Sequence, residues 1–210
     1  MNLSDLPAQA GILLLAYILG SVPFGYLIVK MREGRDIRST GSGNIGAANV
    51  ARSAGLGAGA LTFALDAAKG YLAVWVAGRL TDERITWMVL AGLAAILGHL
   101  YPLWLRFRGG RGVATGVGVF LPICWPAVLA ALAVWILLVA FWRYISLGSI
   151  AAAASLPLLT YLLYAPGHAP PRSVSVSTTL AAVLIILRHR PNIERLIRGT
   201  EPRFTLRRMR

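Results

Sequence analysis

Residues 10–29 form a run of about 20 apolar residues without a charge, the length a helix needs to cross a bilayer core of about 30 Å. Five further apolar runs follow, at 54–77, 87–105, 113–142, 147–163 and 174–187. Inside hydrocarbon every backbone N–H and C=O must find a partner within the chain, which restricts such runs to helices. The pattern predicts an all-α, polytopic membrane protein. It forms one bundle domain over residues 1–210, with no soluble domain, internal repeat or low-complexity linker. Composition agrees, because only 14% of the residues are charged against roughly 25% in soluble domains. The first run reads as a span and not as a secretory signal, since no basic residue precedes it and Lys30, Arg32 and Arg35 follow it.

The run 113–142 resists simple counting, because Pro122 and Pro126 place two helix breakers near its middle. As one crossing it would leave six passes and put the arginine-rich tail (Arg188, Arg190, Arg195, Arg198, Arg203, Arg207, Arg208 and Arg210) on the same side as the uncharged-to-acidic residues 1–9. As a short or re-entrant hairpin it gives seven passes, the N-terminus outside and the C-terminus cytoplasmic. Of the 21 Lys and Arg residues, only Arg79, Arg84 and Arg172 then fall outside and only Lys69 within a span, as the positive-inside rule expects. The formal net charge of +13 is explained by that orientation and by attraction to anionic head groups and substrates. No nucleic-acid recognition motif accompanies it, so nucleic acid is not an expected partner. The single cysteine, Cys124, excludes an internal disulfide and a thiolate metal cluster, and reads as a small buried hydrophobe.

Three polar segments fall on the inner side. The first, 36–52, carries Gly41, Gly43 and Gly46 for positive-φ geometry, Ser42, Asn44 and Asn49 as donors, and Arg38 and Arg52 as fixed charge. The second, 99–115, sets His99, Arg106, Arg108 and Arg111 around Gly109, Gly110 and Gly112 and then enters a helix at Val113. Converging amides at a helix start beside arginine form a seat for phosphate. The third, 189–201, places His189 and Asn192 with Arg195 and Arg198 directly after the last run. Asp66 and Lys69 lie three apart on one helix face within a span, either a structural ion pair or a group that positions the site. Ser146 is read as the cap of the span it begins. Gly55, Gly57, Gly59 and residues 151–154 are read as helix-contact positions.

These segments resemble the bacterial acyl-phosphate:glycerol-3-phosphate acyltransferase family. The motifs that carry the resemblance are Gly-Ser-Gly-Asn-x-Gly-Ala-x-Asn at 41–49, Asp-x-x-Lys-Gly at 66–70, Gly-His-x-x-Pro at 98–102, Gly-Gly-x-Gly-Val-Ala-Thr at 109–115 and Asn-Ile-x-Arg-Leu-x-x-Gly-Thr-Glu at 192–201. The resemblance implies a seven-helix protein of the bacterial cytoplasmic membrane that moves a fatty acyl group from acyl phosphate to the 1-hydroxyl of glycerol 3-phosphate. The product is lysophosphatidic acid, at the first step of phospholipid synthesis, with no cofactor, no metal and no obligate protein partner. It implies a catalytic set of Ser42, His189 and Asn192. Substrate binding falls to Gly41, Gly43, Asn44, Asn49, Arg52, Lys69, His99, Arg108, Gly109, Gly110, Arg111 and Gly112. Arg111 stands where the family usually shows lysine, and Ala48 where a hydroxyl residue is usual.

The residues themselves argue against a covalent acyl-enzyme, since neither a Gly-x-Ser-x-Gly elbow nor a Cys/His arrangement is legible. Direct attack by the glycerol hydroxyl is expected, with His189 or the leaving phosphate taking the proton and Asn192 or backbone amides steadying the oxyanion. A transporter of phosphate or a phosphorylated metabolite is the alternative. The phosphatidyl-alcohol transferases would need clustered aspartates, and Asp36 and Asp66 are isolated.

Overall fold

The computed structural model describes residues 6–164 and 168–205. The expected N-terminal residues 1–5, part of the 165–173 loop, and Arg207, Arg208 and Arg210 of the tail lie outside the described residues. The order of helices is α1 (Leu6–Gly20), α2 (Phe24–Glu33), α3 (Ala47–Ala54), α4 (Leu56–Leu80), α5 (Ile85–Leu100), α6 (Val113–Trp142), α7 (Ile145–Leu163), α8 (Arg172–Arg188) and α9 (Arg190–Ile197), with 3-10 turns at Ile37–Ser39 and Leu103–Leu105. By length and hydropathy five segments among the described residues suffice to cross a bilayer: Pro7–Glu33, Leu56–Leu80, Ile85–Leu105, Val113–Trp142 and Ile145–Leu163. The fold is that of a multi-pass membrane protein.

The first apolar run, expected as one uninterrupted span, is broken at residues 21–23, where Pro23 precedes α2. Proline has no N–H to continue the ladder, and at this break the Val22 carbonyl accepts from the Phe24 N–H at 3.2 Å and from Lys69 Nζ at 2.7 Å. In α6, Cys124 leaves the helical region (φ −152°, ψ 76°) between Pro122 and Pro126, so the run is two arms joined at that residue. A straight helix of that length would hold its ends about 45 Å apart. Instead, Val113 and Val117 of the first arm line the same cavity as Trp135 of the second and Ser146 beyond it. The arms therefore bend back toward each other at Cys124, which packs in the core with Val119, Phe120, Ala127 and Val128.

α4 is the axis of the bundle and packs against α1, α3, α5 and α6, while α7 lies against α6 and α8. The tightest crossings are made by glycine, because lipid supplies no hydrophobic drive and contact depends on close backbone approach. At α1/α5, a side chain on Gly20 would strike the Ala95 backbone, and one on Gly98 the Tyr17 carbonyl. At α4/α6, one on Gly70 would strike the Thr115 carbonyl, and one on Gly118 that of Ala67. The expected contact residues fare unequally. Gly59 sits against Ala51, but Gly57 has nothing around it and Gly55 (φ 91°) is the joint between α3 and α4.

Candidate active site

The polar segments meet at one end of the bundle, around a cavity of about 470 Å³ between α3, α4, both arms of α6, α7 and α8. Asn44, Asn49, Asp66, His99, Arg111, Ser146 and His189 are among its polar lining residues, and Phe63, Leu132, Trp135, Leu156 and Ile185 make its body apolar. A charged mouth thus opens into a groove of hydrocarbon side chains.

The first loop is organised by one side chain. Asn49 is 1% exposed; its Oδ1 accepts from the Ser42 N–H at 2.9 Å, and its Nδ2 donates to the Asn44 carbonyl at 2.9 Å and the Thr40 carbonyl at 3.1 Å. Asn44 Oδ1 in turn accepts from the Gly46 N–H at 2.7 Å, just before α3 begins. Gly41 takes φ 59° and lies so close to Asn49 Oδ1 that a side chain there would collide with it. Gly43 (φ 67°) and Ser42 are exposed. Arg38 is consumed locally, forked onto Asp36 with its shortest contact at 2.6 Å and lying over the Tyr26 ring. That hydrogen-bonded pairing holds the Asp36 carboxyl below its ordinary range. Arg52, on α3, makes no such pair.

The second loop is built on His99. The Gly110 N–H donates to the His99 carbonyl at 3.1 Å and the Gly109 N–H to the Leu100 carbonyl at 3.2 Å. A side chain on Gly110 would enter the His99 ring, and one on Gly109 would meet the His99 carbonyl and Pro102. Arg188, at the end of α8, lies over Tyr101 and donates to both the Gly109 and Gly110 carbonyls at 3.3 Å. Beneath them Lys69 Nζ pairs with Asp66 Oδ1 at 2.7 Å, and His99 Nδ1 stands 3.6 Å from the same oxygen, outside hydrogen-bond reach. Arg108 is exposed. Gly112 (φ 85°) turns the chain into α6, whose first amides open beside Arg111.

Arg111 makes no hydrogen bond or ion pair with the described residues, and neither does Arg52. Burial, then the nearby Arg195, Arg52 and Arg188, push Arg111 down to about 10 against the pull of Glu201. Arg52 is likewise lowered, chiefly by burial. Both remain charged at neutral pH. Glu201 is the one carboxylate in their midst: Oε1 accepts from Ser146 Oγ at 2.6 Å and Asn192 Nδ2 at 2.7 Å, and Oε2 from Arg195 Nε at 2.7 Å. Burial works to raise its carboxyl, but the three donors outweigh it and hold it below the usual range. An anion at this mouth would find charge left over after Glu201 is counted.

His189 is 2% exposed and its Nδ1 lies 2.8 Å from the Ile185 carbonyl. A carbonyl only accepts, so Nδ1 carries the hydrogen and Nε2 the lone pair. Burial pushes the ring down to about 4, with Arg111 adding to the effect, so it is neutral at physiological pH. Asn192, also 2% exposed, gives Nδ2 to Glu201, which leaves Oδ1 buried and without a partner. The carboxylate thereby fixes the amide with its acceptor free.

Of the residues expected from the sequence, the structure brings Asn44, Asn49, His99, Arg111, Gly112 and His189 onto one cavity wall. Arg52 stands in the same electrostatic cluster and Asn192 beside it through Glu201. Gly109 and Gly110 pack behind the wall on His99, Lys69 is buried below it, and Gly41, Ser42, Gly43 and Arg108 lie outside it. Ser146 does not cap α7, because the helix already begins at Ile145 with Tyr144 at the cap position, and the Ser146 hydroxyl is given to Glu201. Glu201, Arg188 and Ser146 read in the sequence only as a motif end, a tail charge and a cap, and their part in the site was not expected. A lone acidic residue closing an arginine-rich segment was the available signal for the first.

Residues 10–199 match the sequence model of the family described as glycerol-3-phosphate acyltransferase. A glycerol-3-phosphate acyltransferase from Trichlorobacter lovleyi is 49% identical over 90% of this chain and 94% of its own. One from Syntrophotalea carbinolica is 45% identical over 91% and 95%. Among solved structures, PlsY (YgiH), an integral membrane glycerol 3-phosphate acyltransferase in its glycerol 3-phosphate form, superposes with a TM-score of 0.87 at 38% identity. That superposition covers 94% of this chain and 96% of the other. The lysophosphatidic acid form of PlsY gives 0.84 at 36% identity, covering 96% and 98%. By sequence over nearly its whole length and by fold, the chain belongs to the glycerol-3-phosphate acyltransferase family.

Proposed function

We propose that this protein is the glycerol-3-phosphate acyltransferase its family membership indicates, and that its acyl donor is acyl phosphate. The observation that carries the reading is the placement of unpaired Arg111 at the mouth of an apolar groove beside a neutral histidine, with unpaired Arg52 in the same charge cluster. The groove takes the acyl chain and the arginines take two phosphates: that of acyl phosphate at the first loop and Arg52, that of glycerol 3-phosphate at Arg111 and the start of α6. The glycerol 1-hydroxyl attacks the acyl carbonyl, the bond from that carbon to the phosphate oxygen breaks, and inorganic phosphate leaves. His189 Nε2 accepts the hydroxyl proton, and Asn192 Oδ1 holds the substrate by accepting from its neighbouring 2-hydroxyl. Because Asn192 Nδ2 is committed to Glu201, the developing oxyanion is steadied chiefly by backbone amides at the start of α6. Holding two activated partners in line is worth about 7–11 kcal/mol, enough to dispense with a protein nucleophile.

The bundle is read as seven crossings, with the two arms of α6 as a hairpin, the N-terminus outside and the polar end facing the cytoplasm across the bacterial inner membrane. Cysteines at 43 and 110 that label from opposite sides would end this topology. For the chemistry, purified protein in lipid is given palmitoyl phosphate or palmitoyl-CoA with labelled glycerol 3-phosphate. Lysophosphatidate forms from the phosphate alone, and activity persists in chelator. Equal product from the thioester would overturn the donor, and uptake into sealed vesicles without conversion would favour transport. His189→Ala lowers kcat about a hundredfold or more at saturating substrate; retention of most of kcat would pass the base role to the leaving phosphate.

A further inference from the structure

Beyond α9 the chain turns back onto the connection between α6 and α7. Gly199 (φ 68°) reverses the backbone after α9, and the Thr200 N–H returns to the Arg195 carbonyl at 2.8 Å. Glu201 then enters the cluster described above. The next residues do not leave the molecule but lie along the connection between α6 and α7. The Phe204 N–H donates to the Arg143 carbonyl at 2.6 Å, and Arg143 Nε donates back to the Phe204 carbonyl at 3.1 Å. Arg203 Nε donates to the Tyr144 hydroxyl at 3.2 Å, with its guanidinium 5.7 Å from the centre of the same ring.

The receiving side is shaped for this strap. Arg143 ends α6 in the left-handed region (φ 62°), a conformation that costs a non-glycine residue energy and needs a compensating contact. Its carbonyl and its guanidinium are both taken up by Phe204. The clasp therefore ties the inner end of the second α6 arm and the start of α7 to the segment carrying Glu201, whose carboxylate holds Ser146, Asn192 and Arg195 together.

We infer that Arg143, Tyr144 and Arg203 are positioning residues that act through Glu201, keeping its carboxylate where it orients the Asn192 amide and offsets Arg195. The inference rests on the acyl-transfer reading. With the clasp open, Glu201 withdraws. Asn192 is then free to turn, which lowers kcat, and Arg195 regains an unscreened charge, which tightens the hold on the phosphate of glycerol 3-phosphate. A role confined to stability would reduce the amount of active enzyme and leave KM where it was.

The test uses the full chain in lipid with palmitoyl phosphate and glycerol 3-phosphate. The double variant Arg203→Ala, Phe204→Pro removes the guanidinium contact and the backbone donor. It should lower kcat about tenfold and lower KM for glycerol 3-phosphate about twofold at low ionic strength, the KM change vanishing in high salt. Arg203→Lys, which keeps a donor for Tyr144, should retain most of kcat. If the double variant does not fold, Tyr144→Phe, which removes only the accepting hydroxyl, should show the same pairing of lower kcat with lower KM at smaller size. Unchanged kcat, or a fall in kcat with KM unmoved, overturns the inference. If the unaltered chain makes no lysophosphatidate, it is the acyl-transfer reading that has failed.

Discussion

Two clusters of ionisable side chains lie near each other at the polar end, and they balance their charge in opposite ways. In the deeper one, Lys69 and Asp66 are paired at 2.7 Å with His99 alongside, and Lys69 spends a further donor on the Val22 carbonyl. Lys69 and Asp66 are spent on the protein itself, and the His99 ring, its Nδ1 without a hydrogen-bond partner, is what remains for a ligand. In the shallower one, Arg52, Arg111 and Arg195 share a single carboxylate, Glu201, which is already taken by Arg195, Ser146 and Asn192. Buried charge is tolerated when it is compensated, so the first cluster reads as architecture. The second reads as a site whose compensation arrives with the substrate.

The sharpest way to break this contrast is to unpair the deep cluster. Lys69→Met leaves a carboxylate inside the bundle and is expected to cost about 3–5 kcal/mol of stability, read as a lowered thermal transition in detergent. Adding Asp66→Asn should recover most of the loss. A neutral single substitution would mean that the pair is not structural.

The shallow cluster should respond with the opposite sign. Arg111→Ala is expected to lower kcat/KM for glycerol 3-phosphate about a hundredfold while leaving the thermal transition unchanged or raised, because it removes an uncompensated buried charge. Arg111→Lys keeps the charge but loses the planar fork, so its loss should be about tenfold or less. A substitution that destabilises the protein without touching KM would place Arg111 with Lys69.

Smaller effects sharpen the boundary between the two. Gly110→Ala puts a methyl group into the His99 ring, an overpacking worth about 1–3 kcal/mol, and should lower stability and activity together. The pH dependence follows from His189, whose folded value of about 4 lies below its ordinary 6.5. Between those values the unfolded chain binds more protons than the folded one, so stability falls as pH drops through that window and is fully present above it. For the same reason kcat should stay flat from pH 8 through 6.5 on the acid side and fall only toward about 4. A kinetic titration near 6.5 would show that the ring is not buried away from water as found here.

Much of this was legible in the chain. Apolar runs marked the membrane helices, and Pro122 and Pro126 marked the interruption of α6, realised at Cys124. Glycine-and-arginine segments far apart in sequence were expected on one side, and Asn44, Arg111 and His189 line one cavity. The division of labour within those segments was not legible. Asn49 and Ser42 both read as donors for a ligand, yet Asn49 spends its amide on the backbone of its own loop. Ser146 read as a local cap, and its partner lies 55 residues away. Pro23 was in plain view in the first run, but the use made of the Val22 carbonyl at the break depends on Lys69, 47 residues distant.

The amino-acid sequence alone determined the solvent of this protein and the chemistry it carries, because bilayer thickness and the need to satisfy every backbone polar group act on local composition. Only the tertiary structure decided which polar groups are used up and which remain open. Whether a polar side chain is used up, as Ser146 is by Glu201, or left waiting, as Arg111 is, depends on what distant parts of the chain bring within hydrogen-bond reach, and no spacing along the chain encodes that distance.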